Sequence, residues 1–195
     1  MEWLNEDTWI ISDTHLFHEN IIRYASRPLD HNDIIINNWS TMVKPQDTIL
    51  HLGDVILSSA ERMRDIAPML PGNKYLVKGN HDSRRKMRNH MGFNIVDRKQ
   101  KRYNGNTYHF VPAFEYGVVF SHQPLPLEWL QKWHVINIHG HIHNLKTLDD
   151  RHINMSVEVR NYMPWRFGKV LEEIHNKIDP NTLVSAQISK QKSGL

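Results

Sequence analysis

The sequence predicts an α/β fold with mixed sheets covered by helices. Short apolar runs alternate with helix-like stretches through the first half, and the second half is rich in strands. Five of the apolar runs also end in polar clusters of Asp, Asn and His, which is where open α/β sheets place their chemistry.

Residues 8–11 form a first buried strand, short and rich in β-branched and aromatic side chains. A loop over 12–18 leads to a short helix over 19–24 that ends before Arg27-Pro28. Asn32 or Asp33 caps a second helix through Val43, with Ile35, Ile36, Trp39 and Met42 on one face. Lys44-Pro45-Gln46-Asp47 turns into a second strand over 48–52. Ser58 or Ser59 caps the next helix, whose stripe is Met63, Ile66, Ala67 and Leu70 and which Pro71-Gly72-Asn73 stops. A third strand covers 74–78 and a short basic helix 83–90.

Weaker strands, around Ile95-Val96 and over 108–111, flank Asn104-Gly105-Asn106, whose Asn-Gly pair is a hairpin signal. Strands over 118–120 and 135–138 are separated by a Pro-broken, then helical segment. A strand over 152–157 and a helix over 166–178 follow, and the polar end from Asp179 is expected to be loosely held.

A chain of 195 residues is expected to be one domain, 1–195, with its core over about 8–174. With 39% hydrophobic and 23% charged residues it is expected to be soluble and globular. A net charge of +3 is too small to mark a nucleic-acid footprint by itself. The lack of cysteine excludes disulfides and thiolate sites. The acidic start lacks the apolar stretch of a signal peptide, and no run approaches the roughly 18 apolar residues of a membrane span. The cytoplasm is the expected compartment. The 14 histidines exceed an ordinary complement, and neutral imidazole is the commonest transition-metal ligand.

The polar clusters are Asp13-Thr14-His15, Gly53-Asp54, Gly79-Asn80-His81-Asp82, His122 and Gly140-His141-Ile142-His143. Gly79 lets the chain turn sharply after its strand. Asp13, His15, Asp54, Asn80, His122, His141 and His143 are too many ligands for one tetrahedral ion. They suit two ions that share a bridging carboxylate. Their mixed oxygen and nitrogen donors favour Mn²⁺, Fe, Zn²⁺, Ni²⁺ or Co²⁺ over Ca²⁺ or Mg²⁺. His141 and His143, two residues apart, project from one side if the backbone is extended.

Two divalent ions bring four positive charges, two carboxylates remove two, and a bridging hydroxide removes one more. Such a site traps a phosphoryl group. Ions roughly 3.5–4 Å apart hold a hydroxide at neutral pH and stabilise both apical oxygens of an in-line displacement. His81 is the candidate acid for the leaving alkoxide, with Asp82 to orient it or hold it protonated.

These motifs, in this order, resemble the five motifs of the calcineurin-like metallophosphoesterases, from about Thr8 to Glu173. Asp13-Thr14-His15-Leu16-Phe17-His18-Glu19-Asn20-Ile21-Ile22, Arg27-Pro28 and Asn154-Met155-Ser156-Val157-Glu158 further resemble small bacterial and phage predicted phosphoesterases. The resemblance implies an αββα sandwich of two mixed β-sheets flanked by helices. It implies that Asp13, His15 and His143 bind a first metal, Asn80, His122 and His141 a second, that Asp54 bridges, and that His81 is the acid. The Ser/Thr phosphatases of this superfamily carry Gly-Asp-X-X-Asp-Arg-Gly and Gly-Asn-His-Glu. Here the chain reads Gly53-Asp54-Val55-Ile56-Leu57-Ser58-Ser59 and ends the other motif in Asp82, which speaks against a protein phosphatase. The length leaves no room for the cap or accessory domains of the large nuclease members.

The expected activity is metal-dependent hydrolysis of a small or nucleotide-like phosphodiester, with manganese the expected metal. Phosphomonoesterase or protein phosphatase activity is the enzymatic alternative, and a non-catalytic metal-binding scaffold the other. The expected partner is a small phosphorylated substrate rather than nucleic acid or a membrane. His18 is a candidate substrate contact, and Arg84 and Arg85, with Lys86 and Arg88, are candidates to hold phosphate oxygens. Arg98, Lys99, Lys101 and Arg102 read as a charged turn, and Arg27 as a packing or pairing residue. Phe17, Tyr103, Phe114, Tyr116 and Tyr162 are candidates to stack a base. His31, His51, His90, His109, His134, His139 and His152 read as structural.

Overall fold

Two five-stranded mixed sheets pack against each other and are flanked by helices, the last of which buries Phe167, Val170 and Ile174 in the core between the sheets. The computed structural model describes residues 1–97, 99–147 and 149–177. In chain order the elements are β1 (Trp9–Ile11), α1 (Ile21–Tyr24), α2 (His31–Met42), β2 (Thr48–His51), α3 (Ala60–Ile66), β3 (Asn73–Leu76), α4 (Arg84–Met91), β4 (Asn94–Ile95), β5 (Lys99–Tyr103) and β6 (Asn106–Ala113). There follow β7 (Val118–Ser121), α5 (Leu127–Trp133), β8 (Ile136–His139), β9 (His152–Asn154), β10 (Trp165–Arg166) and α6 (Phe167–Lys177).

The first sheet has the order β10-β1-β2-β3-β4, parallel except for β10. The second has the order β5-β6-β7-β8-β9; its first three strands are antiparallel and β7, β8 and β9 are parallel. Successive strand residues face opposite ways, so β1, β2, β3, β6 and β7 each serve two cores. Ile10 and Leu50 join Val111, Phe120 and Ile138 between the sheets. Ile11 and Ile49 face outward onto Ile35 and Trp39 of α2, Met63 of α3 and Met87 of α4. On the outer side of the second sheet, Trp129 and Leu130 of α5 cover Phe110 and Val119.

Several elements differ from the sequence expectations. Helix α2 begins at His31 with Asp30 at its N-cap, and Asn32 is not the cap. Its side chain instead accepts the backbone N–H of Phe17 at 2.8 Å and so holds the loop after β1. Ser59 does cap α3, accepting Arg62 N–H at 3.2 Å. That helix tightens into a 3₁₀ turn, Ala67–Met69, before the expected stop, because Pro68 has no N–H to continue it.

The expected charged turn is part of a strand: β5 pairs with β6 across Asn104 and Gly105, both at positive φ. Its alternation is hidden because the position that meets Trp129 is an exposed lysine. Lys101 Nζ lies 4.2 Å from the Trp129 ring centroid, and Tyr103 meets Trp129 edge-on. The strand expected over 152–157 ends at Asn154 and gives way to a 3₁₀ turn, Val157–Arg160. Two-residue β10 is too short to show a period. Arg98, Ile178 and the polar end from Asp179 lie outside the described residues. Among the described residues no helix is long and apolar enough to cross a membrane.

Candidate metal centre

The site forms where parallel strands of both sheets end. Asp13 and His15 follow β1, Asp54 follows β2, Asn80 follows β3, His122 follows β7, and His141 and His143 follow β8. Asp13, His15, Asp54, His141 and His143 all have left-handed backbones, with φ between 44° and 71°. Residues with a Cβ avoid that region, and the surrounding structure holds them there. Asp13 N–H reaches Gly53 O at 3.0 Å, His15 N–H reaches Asp54 O at 2.9 Å and Leu16 N–H reaches Val55 O at 3.0 Å. The loops after β1 and β2 are thereby stitched together. The backbone at His141 and His143 is bent, not extended, so the two imidazoles diverge into different groups.

The first group is Asp13, His15 and His143; the second is Asp54, His122 and His141. Within each, one ligand atom per residue lies within 4.8 Å of the others. Asp54 Oδ2 is 3.4 Å from His15 Nε2 and 3.3 Å from His122 Nε2, so it faces both groups. Asn80 Oδ1 is 2.9 Å from His122 Nε2, and His141 Nδ1 is 3.2 Å from it.

The donor set fits divalent cations. Asp13 Oδ1 and His15 Nε2 are buried with no hydrogen-bond partner among the described residues, as groups built to coordinate a cation are. The other oxygen of Asp13 is committed: it accepts Ser12 Oγ–H at 2.6 Å, Ser156 Oγ–H at 3.0 Å and His141 N–H at 2.9 Å. His122 Nδ1–H donates to Leu52 O at 2.8 Å, which leaves Nε2 facing the group.

Burial pushes the His15 imidazole down and so keeps it neutral, as a ligand must be. Burial also opposes charge on Asp54 and His122, yet their mutual hydrogen bond prevails. Asp54 is held well below the carboxylate range and His122 is pushed up to about 9. The carboxylates therefore draw positive charge into the cluster.

Gly79 matters through close approach rather than through a special φ. A Cβ there would overlap Asp54 Oδ1 and the Asp54 backbone nitrogen. Likewise a Cβ at Gly140 would overlap Ser12 Oγ and Asp13 Oδ2.

His81 is exposed at the mouth, with its ring centroid 5.5 Å from that of His15. Its backbone N–H donates to Asp54 Oδ1 at 2.9 Å. Asp82 is buried beneath and accepts backbone N–H groups from Asp54, Val55 and Gly79. Its oxygens are spent on the main chain and not on the His81 ring. The ring of His18 lies 5.5 Å from His15 and 6.1 Å from His81, at the rim of the site.

Arg84 is turned away into a two-pronged ion pair with buried Asp97, at 3.0 and 2.7 Å. Arg85 is exposed on α4. Of the aromatic candidates, Tyr103 and Tyr116 pack edge-on against Trp129 and Phe167, Tyr162 packs on the outer core, and Phe17 lies beneath Arg62. Phe114 is exposed.

Sequence reasoning did not assign the supporting shell. Arg27 Nη1 and Nη2 donate to the carbonyls of Thr14 and Asp13 at 2.7 and 2.5 Å, and its Nε and Nη2 grip Glu158. Glu158 accepts His143 Nδ1–H at 2.9 Å. The stretches holding Arg27 and Glu158 were visible, but 131 residues separate the pair and no local pattern joins them. His51 spans both ligand loops: Gly53 N–H donates to its Nδ1, and its Nε2–H to Thr14 Oγ, whose proton goes to Val55 O.

A family model described as calcineurin-like phosphoesterase matches residues 7–184. The chain belongs to this family. The match places this calcineurin-like phosphoesterase among metal-binding hydrolases of phosphate esters. An uncharacterised protein of Methanocaldococcus jannaschii is 33% identical over 172 residues, covering 80% of this chain and 84% of that protein. The gene 66 protein of Mycobacterium phage L5 is 29% identical over 82 residues, 39% of this chain and 40% of that protein. Among solved structures, a protein of unknown function from Aquifex aeolicus superposes with a TM-score of 0.64 at 26% identity. That match covers 85% of this chain and 98% of the other.

Proposed function

We propose that this calcineurin-like phosphoesterase hydrolyses a small or nucleotide-like phosphodiester with two divalent ions, Mn²⁺ ahead of Fe, Zn²⁺, Ni²⁺ or Co²⁺. Asp13, His15 and His143 hold one ion, Asn80, His122 and His141 the other, and Asp54 serves both. The observation that supports this most is Asp54 Oδ2, within 3.4 Å of His15 Nε2 and 3.3 Å of His122 Nε2. A single carboxylate oxygen between two ligand groups is what a shared ligand requires.

Bound there, a divalent pair supplies charge for the phosphoryl oxygens and a water-derived nucleophile at neutral pH. The chain's own residues supply the rest. Asp13 and Asp54 leave the loaded site with net positive charge, which selects an anion. His81 stands at the mouth and gives its proton to the leaving alkoxide, a transfer typically worth about 10²–10⁴-fold. Its backbone anchor on Asp54 Oδ1 keeps the ring in register with the shared carboxylate. Asp82 acts by holding that loop. His18 and Arg85 contact the rest of the substrate. The chain works as one domain in the cytoplasm, and its lack of cysteine agrees with that compartment.

Hydrolysis of bis-p-nitrophenyl phosphate and p-nitrophenyl phosphate tests this, using chelator-stripped protein, added Mn²⁺ and His81→Ala. The expected result is Mn²⁺-dependent turnover of the diester that falls about 10²–10⁴-fold in the variant while two ions stay bound. Preference for the monoester would make the protein a phosphomonoesterase. No turnover of either ester with two ions bound would overturn the mechanism.

A further inference from the structure

Both candidate ligand groups contain histidines, but among the described residues only in the Asp13 group does a histidine ring rest on a buried carboxylate outside the ligand set. On the Asp54 side, His122 Nδ1–H rests on a neutral carbonyl, Leu52 O. On the Asp13 side, His143 Nδ1–H rests on a carboxylate. Glu158 Oε1 accepts that N–H at 2.9 Å together with Arg27 Nε at 2.9 Å and Arg27 Nη2 at 2.7 Å. The Arg27 and Glu158 side chains are almost wholly buried. Arg27 also holds the carbonyls of Asp13 and Thr14, so one guanidinium joins the Asp13–His15 loop to the carboxylate behind His143. The same segment adds two more braces. Asn154 Nδ2–H donates to His143 O at 2.7 Å, and Ser156 Oγ–H to Asp13 Oδ2 at 3.0 Å.

We propose that Glu158, clamped by Arg27, is a positioning residue that presents His143 through Nε2 and sets the affinity of the Asp13–His15–His143 position alone. With Nδ1 committed to Glu158, Nε2 is the nitrogen left for a cation, and the carboxylate makes it a more basic donor. The Asp54–His122–His141 position lacks this support among the described residues. The two positions therefore differ in affinity because of residues that touch no ion. This inference rests on the two-ion reading above.

Calorimetric titration of chelator-stripped full-length protein with Mn²⁺ tests it. Three variants are compared with wild type: Glu158→Gln, the double variant Arg27→Met/Glu158→Leu, and Glu173→Gln. The double variant removes both buried charges together, which folded proteins tolerate better than loss of one partner. Glu173→Gln breaks the Arg160–Glu173 ion pair, which reaches His143 only indirectly, through the Asn154 carbonyl that Arg160 holds, and controls for general loosening of that segment.

The expected result is two ions in every protein. One of them binds roughly 10–100-fold more weakly in the double variant and less tightly in Glu158→Gln, the other is unchanged, and Glu173→Gln matches wild type. If both ions weaken equally, or neither does, Glu158 is not a positioning residue for one site. If wild type itself binds fewer than two ions, the two-ion reading fails and this inference falls with it. A wild type with two ions and unaltered variants would sink the inference alone.

Discussion

Asp82 accepts the backbone N–H of Asp54 at 2.8 Å, through the same oxygen that accepts Gly79 N–H at 2.9 Å. Its other oxygen takes Val55 N–H at 3.0 Å. Three donors from two loops thus close on one buried carboxylate, and the place of Asp54 depends on it. In Asp82→Asn one acceptor becomes an NH₂ group facing a backbone N–H. The cost of a buried donor left unpaired is about 1–3 kcal/mol. Urea unfolding should show that loss, and Mn²⁺ affinity should fall with it. A variant as stable as wild type would mean that the clamp is not needed.

Gly79→Ala places a Cβ onto the Asp54 carboxylate and backbone nitrogen. Since Gly79 is not among the positive-φ glycines, the backbone there tolerates alanine and the damage falls on Asp54. A shift of about 1 Å at such a group costs about 10²-fold in turnover. Circular dichroism should report a native fold, while the ester assay reports that loss. Full activity in a folded variant would contradict the close approach.

His51 gives the metal-free protein an acid-sensitive link between its ligand loops. Burial pushes the imidazole down to about 3. The unfolded chain takes up this proton near pH 6.5, and the folded one resists until far lower. The contribution is therefore full above about pH 6.5 and is lost as pH falls, at about 1.4 kcal/mol per unit. His51→Gln removes this titration. In chelator-treated protein, the drop in stability between pH 7 and pH 5 should be about 2 kcal/mol smaller in the variant than in wild type. Equal drops would show that the ring is not held neutral.

Arg84 and Arg85 are neighbours in sequence with opposite expected phenotypes. Arg84→Ala strands the buried Asp97 carboxylate, leaving only His109 among the described residues in ion-pair contact, at 3.5 Å, and should cost about 1–3 kcal/mol of stability. Arg85→Ala should leave stability unchanged and raise KM for the diester several-fold, more at low salt than at high salt. His18→Ala should also raise KM and leave Mn²⁺ affinity alone. Thermal melts and Michaelis curves separate these outcomes, and a KM effect confined to Arg84→Ala would reverse the assignment.

The strands that carry the ligands were legible because each is a short apolar run broken by a polar cluster, as at Trp9-Ile10-Ile11 before Asp13 and at Val118-Val119-Phe120 before His122. Helix α4 was legible from Ser83 ahead of a basic run, and Ser83 Oγ does accept Lys86 N–H. Strand β5 was not, because its run of charged side chains reads as a turn, and the sequence does not show that exposed Lys101 lays its ammonium over Trp129. Strand β10 was not, because two residues define no period.

By itself the sequence determined the fold class, the order of the motifs and which residue types stand at the strand ends, since these follow from local periodicity and composition. The family resemblance already implied that His141 and His143 serve different groups; only the tertiary structure showed the backbone bend that parts them, that Asp82 clamps the main chain and that Arg84 belongs to Asp97. It alone also joined Arg27 to Glu158 and His143. These are matters of direction and distance between segments far apart in the chain. A side chain's partner is set by which loops the two sheets bring to one edge, and no local pattern encodes that.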